Sequence, residues 1–316
     1  MKIGILFPGY GSQFIGMGKE LYDESRTMQE YFEEASNCLN MNFVKLCFAS
    51  SESELEAMNN AYPATFLVSC AMYALLKEEG IKADVVAGYN LGEYAALHAA
   101  GGISFPDGLY LLAKYATLYQ EALATMDVGV LHVQGLSTKK LESICKKSSE
   151  GEFSATIALY NSDTDHIVSG HGPAVAAVRG FVAEDQDARS EELLLEVGLH
   201  SSLMDGVVDQ LAPHLAKVDF KDMAIPLLCS TTICNVESGE QVKERVIDHI
   251  HTPVVWKKVM QELEGCDLLV EVGPGSKLTR MAKEKYPDKL CMSINKRSDI
   301  EDLKKIIAND GINTEI

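Results

Sequence analysis

The segment Ala87-Gly88-Tyr89-Asn90-Leu91-Gly92-Glu93 constrains this chain more than any other. Asp84-Val85-Val86-Ala87-Gly88 reads as a strand and Leu91 to Ala100 as a helix, which places Asn90 at the top of the strand and the mouth of the helix. A Gly-x-Ser-x-Gly turn belongs at such a junction. Its glycines permit the sharp turn and close helix packing, and the helix N-terminus offers N–H groups to a developing oxyanion. Leu91 would supply that backbone donor. Asparagine tolerates left-handed backbone better than most residues, so Asn90 can hold the elbow, but a carboxamide nitrogen forms no useful acyl-enzyme.

Around this elbow, apolar runs at Ile3–Phe7, Val85–Ala87, Ile225–Ser230 and Leu268–Val272 alternate with helical patterns at Gln29–Leu39, Ala64–Glu79, Leu91–Ala100 and Gly108–Ala124. That alternation predicts an α/β layered domain with a mainly parallel sheet. The middle of the chain differs. Strands are expected at Val128–Gly135, Ala155–Asn161, His166–Gly170 and Glu191–Val197, with helices at Thr138–Lys147 and Pro173–Glu184. The order βαββαβ is that of a ferredoxin-like unit, here inserted as residues 128–197 into a core made of 1–127 and 198–316. A last helix follows Ser298.

Composition removes several classes of function. The 46 acidic against 28 basic residues give a net charge of −18, which argues against nucleic acid or an anionic membrane as partner. Eight scattered cysteines without Cys-x-x-Cys spacing read as reduced thiols, and the expected location is cytoplasmic. The start Met1 to Gly9 reads as a first strand broken by Pro-Gly rather than as a signal peptide, and no apolar stretch suits a membrane span. His249 and His251 lie two apart, off a common helical face, and no other pattern completes a metal site; no metal and no cofactor are expected. Charge is nevertheless uneven. Lys277, Arg280, Lys283, Lys285, Lys289, Lys296 and Arg297 face only Glu284 and Asp288 in their stretch, either a solvated surface or a landing site for an acidic partner.

Two further segments could carry chemistry. His200, in Glu196-Val197-Gly198-Leu199-His200-Ser201, stands where the insert returns to the core, a suitable place for a base. The loop Phe7-Pro8-Gly9-Tyr10-Gly11-Ser12-Gln13 follows the first strand, and its glycines can bring backbone N–H groups to a ligand at the sheet's C-terminal edge.

Taken with the elbow, these segments make the chain resemble the malonyl-CoA:acyl carrier protein transacylases and the related acyltransferase domains of polyketide synthases. The resemblance spans nearly the full length. It extends through Tyr160-Asn161-Ser162, Ile167-Val168-Ser169-Gly170, His200 to Met204, Thr252-Pro253-Val254-Val255-Trp256 and Glu271-Val272-Gly273-Pro274-Gly275. It implies an α/β-hydrolase-like core with a ferredoxin-like insert, acyl transfer from a thioester, and an acyl carrier protein as partner.

The departures from the family pattern are concentrated at its functional positions. Asn90 replaces the acylated serine and Tyr89 the histidine before it; Tyr10 replaces the glutamine lining the oxyanion hole. Tyr115 falls where the family has the arginine that pairs with the malonyl carboxylate, and Val255 where it has the residue orienting the catalytic histidine. Only His200 remains. The resemblance therefore implies a protein of fatty acid or polyketide biosynthesis impaired in acyl transfer, which binds an acyl carrier protein or acyl thioester through Lys277, Arg280, Lys283 and Lys285. Two alternatives stay open: a serine-free hydrolase of acyl-carrier or acyl-CoA thioesters with His200 as base, Asn90 and Leu91 holding the thioester oxygen, and an aromatic pocket of Tyr10, Tyr89 and Tyr115 remade for another ligand.

Overall fold

The strand runs legible in the sequence assemble into two sheets. The structure is a computed structural model that describes residues 1–194, 199–233 and 235–313, with backbone alone for 310–313. β1 (Ile3–Phe7) is followed by α1 (Lys19–Glu24), α2 (Arg26–Leu39), α3 (Phe43–Ala49), α4 (Glu52–Glu56) and α5 (Met58–Glu78). Next come β2 (Val85–Gly88), α6 (Gly92–Ala100) and α7 (Phe105–Leu123). The middle of the chain holds β3 (Val128–Gln134), α8 (Thr138–Ser148), β4 (Ala155–Tyr160), β5 (Asp165–His171), α9 (Gly172–Ala183) and β6 (Arg189–Leu193). The remainder runs through α10 (Asp205–Leu215), β7 (Leu227–Leu228), β8 (Asn235–Val236), α11 (Gly239–His251) and α12 (Trp256–Glu262). It closes with β9 (Leu268–Val272), α13 (Lys277–Lys285), β10 (Leu290–Ile294) and α14 (Arg297–Asn313).

The larger sheet has the order β10-β9-β1-β2-β7-β8, parallel throughout except for the pairing of β7 with β8. Its central strands are buried on both faces, which is why they read as continuous apolar runs. Because Phe7 pairs with Gly88 and Leu6 with Glu271, the loops after β1, β2 and β9 all leave the same C-terminal edge. That edge is where open α/β sheets hold their ligands. α5 is buried on nearly every side, as its all-round apolar sequence demands.

The second sheet is antiparallel, with the order β4-β5-β3-β6, and its own core includes Leu131, Val133, Leu141, Ile144, Val168 and Val178. This is the mixed α/β architecture that the alternation and the βαββαβ order implied. The two parts are joined by backbone: Tyr160 N–H donates to Val254 O and Val254 N–H to Ala158 O, both at 2.8 Å.

Two strands depart from their expected bounds. β6 lies earlier than Glu191–Val197, since antiparallel pairing sets Arg189 against Gln134 and Leu193 against Val130. It is an exposed edge, so polar residues suffice and the apolar run beyond it misplaces the reading. Residues 195–198 of that expectation, and of the expected insert, lie outside the described residues. The strand expected over Ile225–Ser230 shrinks to Leu227–Leu228, because Pro226 removes a ladder donor and Ala224 N–H is drawn to Ala100 O. No helix of the described residues is long and apolar enough to cross a membrane.

Candidate functional site

Asn90 has φ 54°, in the left-handed region, between the end of β2 and the start of α6. Three hydrogen bonds fix this turn: Tyr89 N–H to Phe7 O at 2.9 Å, Gly92 N–H to Tyr89 O at 3.0 Å and Glu93 N–H to Asn90 O at 3.0 Å. The elbow glycines are sterically required. A Cβ on Gly88 would collide with the backbone of Glu93, and one on Gly92 with the carbonyl of Phe7. A Cβ on Gly9 would strike the carbonyl of Tyr89 and come within 3.0 Å of Leu91 N, so the loop after β1 lies directly against the elbow. Leu91 opens α6, where N–H groups lack intrahelical acceptors and the helix dipole favours negative charge. Asn90 itself is only 2 % exposed.

Below the elbow, α6 carries a buried carboxyl. Glu93 accepts hydrogen bonds from the hydroxyl of Ser230, from Ser230 N–H at 3.3 Å and from the thiol of Cys229 at 3.5 Å. Burial pushes its pKa up to about 7 against the pull of these donors.

His200 is buried and also left-handed, at φ 43°. Its Nδ1 is 2.8 Å from the carbonyl oxygen of His249. An acceptor there places the proton on Nδ1 and leaves the lone pair on Nε2. Burial lowers the pKa of His200 to about 4, so the ring is neutral at ordinary pH. Its Nε2 is closed from solvent and meets no donor among the described residues. The ring of His249 packs edge-on against it, with centroids 5.1 Å apart, and burial together with His200 takes the pKa of His249 to about 3.

With valine at position 255 in place of a polar side chain, the group that holds the His200 ring is the backbone carbonyl of His249. α11 ends at His251, so the carbonyl of His249 belongs to the last turn, whose oxygens have no intrahelical donor. Val255 stands at the start of α12 with its N–H bound to Ser230 O at 2.7 Å. His251 points elsewhere, pairing with Asp205 at 2.7 Å. Among the described residues no group of three His, Cys, Asp or Glu side chains could hold a metal ion.

The three tyrosines singled out in the sequence fall into two separate settings. Tyr10 and Tyr115 both pack on Tyr62, each with centroids 5.9 Å apart, and Tyr115 also meets Tyr119 at 5.7 Å. The hydroxyl of Tyr10 donates to Glu56 O at 3.2 Å, and burial raises the pKa of Tyr115. Tyr89 instead turns toward the insert. Its hydroxyl donates to Asn161 Oδ1 at 2.8 Å, its ring meets Trp256 edge-on at 5.3 Å, and Lys277 Nζ lies 4.6 Å from its ring centroid. Asn161 in turn donates to Asp165 at 2.8 Å, which Gln134 also reaches at 2.6 Å and His132 at 3.1 Å. A polar chain therefore runs from the elbow into the insert.

The four basic residues of α13 divide in the same way. Arg280, Lys283 and Lys285 are exposed, whereas Lys277 is half-buried against Tyr89. Lys285 donates to Lys257 O at 3.1 Å and, with Lys257, Met260, Met281 and Asn161, lines a cleft of about 360 Å³ between α12, α13 and the β4–β5 turn. Sequence reasoning missed Tyr62, the carbonyl of His249 and the bridging part of Asn161. Only Asn161 had a signal, its place beside Tyr160 in a segment that resembles the family.

Residues 5–304 match the acyl transferase domain family. A malonyl CoA-acyl carrier protein transacylase of Bacillus subtilis is 32% identical over 285 residues, 90% of each chain. The malonyl CoA-acyl carrier protein transacylase structure from Clostridium perfringens superimposes with a TM-score of 0.93 at 25% identity over all of both chains. A malonyl-transacylase solved in complex with its type II polyketide synthase acyl carrier protein superimposes with a TM-score of 0.89 at 26% identity, covering 95% of this chain and 98% of that one. With this similarity over elbow, core and insert alike, the chain belongs to the malonyl-CoA:acyl carrier protein transacylase family of acyl transferase domains.

Proposed function

We propose that this transacylase-like protein of fatty acid or polyketide biosynthesis has lost acyl transfer and works by binding an acyl carrier protein or its thioester. The observation that carries this reading is Asn90 at φ 54° on the elbow, a carboxamide where the family has its nucleophilic hydroxyl. Loss of the serine alone from a Ser–His pair costs about 10⁶-fold in turnover. Tyr10 and Tyr115 support the reading, since buried aromatic packing holds them at the positions of the family's oxyanion-lining glutamine and carboxylate-binding arginine. The carrier protein is the partner in the solved relative complex, and the exposed bases of α13 offer the acidic carriers of these pathways a complementary surface.

The test is to incubate the protein with acetyl-, malonyl- and longer acyl-carrier proteins and follow the intact mass of every species, with Asn90→Ser and a His200 variant in parallel. Under this reading the parent binds carriers, leaves their acyl groups in place and gains no acyl mass, while Asn90→Ser becomes acylated. Loss of acyl mass that depends on His200 would instead mark a serine-free hydrolase. That role asks a ring with a pKa of about 4 to take a proton from water, a weak base for the task.

A further inference from the structure

Phe14 is 46 % exposed, on a loop that holds its backbone in place. The N–H and hydroxyl of Ser12 both donate to Gly9 O, Gly11 N–H donates to Gln13 Oε1 at 2.8 Å, Met17 N–H to Phe14 O at 3.1 Å and Gly16 N–H to Cys47 O at 2.7 Å. The ring therefore stands in water on a fixed support. At the root of the loop Gly9 lies against Tyr89 and Leu91 of the elbow, and Ser12 O would lie 3.5 Å from a Cβ on Gly275, just before α13. Asn295 ties that start of α13 to the turn before α14, accepting from Gly275 N–H at 3.1 Å and donating to Gly275 O at 2.9 Å. This corner also carries the exposed cations Arg280 and Lys296, neither of which forms an ion pair among the described residues. Its own carboxylates are engaged by backbone: Glu20 accepts from Arg297 N–H at 3.3 Å, and Asp299 from Asn295 N–H at 2.8 Å and Lys296 N–H at 3.1 Å.

An aromatic ring displayed on a rigid loop and rimmed by unpaired cations has the anatomy of an interface core with a charged rim. The charge of the whole chain, −18, selects where an acidic partner can settle: most of the surface repels it and this corner attracts it. Charge alone steers an encounter, whereas burial of a ring holds the complex once formed. Resting on the carrier-binding reading above, we infer that Phe14 is the apolar anchor of the carrier-protein interface: its ring enters an apolar recess of the docked carrier while Arg280 and Lys296 face carrier carboxylates around it. The loops after β1 and β9 leave the same edge of the sheet as the elbow, so a carrier seated on Phe14 presents its arm to Asn90 rather than to a remote face.

The affinity of a holo acyl carrier protein is measured by titration calorimetry at low and at high salt for the parent, Phe14→Ala, Lys296→Glu and Leu290→Ala. Leu290 is the control, an apolar side chain 49 % exposed at the start of β10 and hence at the opposite edge of the sheet. All three side chains are exposed, and thermal melts check that each variant is folded. The expected result is that Phe14→Ala weakens binding by about tenfold or more at both salt concentrations, the loss that marks an anchor residue. Lys296→Glu should weaken it by about threefold or more at low salt, and the loss should shrink at high salt. Leu290→Ala should bind like the parent. Carrier affinity of Phe14→Ala within about twofold of the parent, or an equal loss in Leu290→Ala, overturns the anchor and leaves carrier binding standing. A Lys296→Glu variant that binds like the parent at low salt overturns the cationic rim. Binding of no carrier by the parent overturns the carrier reading itself, and the anchor with it.

Discussion

His200 and His249 form one buried unit: the Nδ1–H of His200 donates to the carbonyl of His249 at 2.8 Å, while the two rings meet edge-on with centroids 5.1 Å apart. Among the described residues neither ring has an anion beside it, and burial holds both below the ordinary histidine pKa, at about 4 and about 3. The unfolded chain takes up these protons near pH 6.5 and the folded protein does not. The stabilisation is therefore complete above about pH 6.5 and is lost as pH falls toward 4, by about 1.4 kcal/mol per unit for each group. Urea midpoints measured from pH 7.5 to 4.5 should fall, and His249→Gln should show a shallower slope. A slope unchanged by that substitution would count against the pair.

Glu93 acts with the opposite sign. Its folded pKa of about 7 lies above the ordinary 4.5, so the stability linked to it is fully present below about pH 4.5 and is lost as pH rises toward 7. Glu93→Gln keeps the shape without the charge. Relative to the parent it should do better at pH 8 than at pH 5 in the same urea titration.

The elbow makes a steric prediction. Gly88→Ala and Gly92→Ala force a methyl into neighbouring backbone and should each cost roughly 3 kcal/mol. Asn90→Val, branched at a left-handed position, should cost roughly 1–2 kcal/mol, whereas Asn90→Gly should be close to neutral. Equal stability of the valine and glycine variants in thermal melts would rule out backbone strain as the reason for asparagine here.

Tyr115 is a buried ring packed against Tyr62 and Tyr119. Tyr115→Ala should cost roughly 3–5 kcal/mol, the range for a large buried aromatic, and Tyr10→Phe about 1 kcal/mol through the lost hydrogen bond to Glu56. A Tyr115→Ala variant as stable as the parent would instead mark the ring as a ligand platform.

Reversing the charge of Arg280 and Lys283 to Glu should reduce carrier-protein affinity by about tenfold or more at low salt, and the reduction should shrink as salt rises. Both residues are exposed, so the melting temperature should hold. Undiminished carrier affinity in the double variant would place docking on another face.

Much of the fold was legible because the main strands are buried on both faces and the insert's helices have one apolar side. Ile3–Phe7 and Leu268–Val272 read at their observed bounds for that reason. β10 and β6 did not, since edge strands need no apolar pattern and their place is set by pairing with β9 and β3. At the site, Asn90 could be placed from sequence because glycine spacing and the strand-to-helix change are local signals. That His249 positions His200 was not legible, because the group that holds the ring is a backbone carbonyl, which any residue carries.

Sequence by itself determined the layered α/β architecture, the elbow and the loss of its hydroxyl, since each depends on residue type within a few positions. Tertiary structure alone decided which groups meet. It set His200 against the end of α11, joined Tyr10 to Tyr115 through Tyr62, and drew Tyr89 away toward Asn161 and Lys277. Those contacts link residues tens to hundreds of positions apart, and only the packing of separate elements brings them within hydrogen-bonding or van der Waals reach.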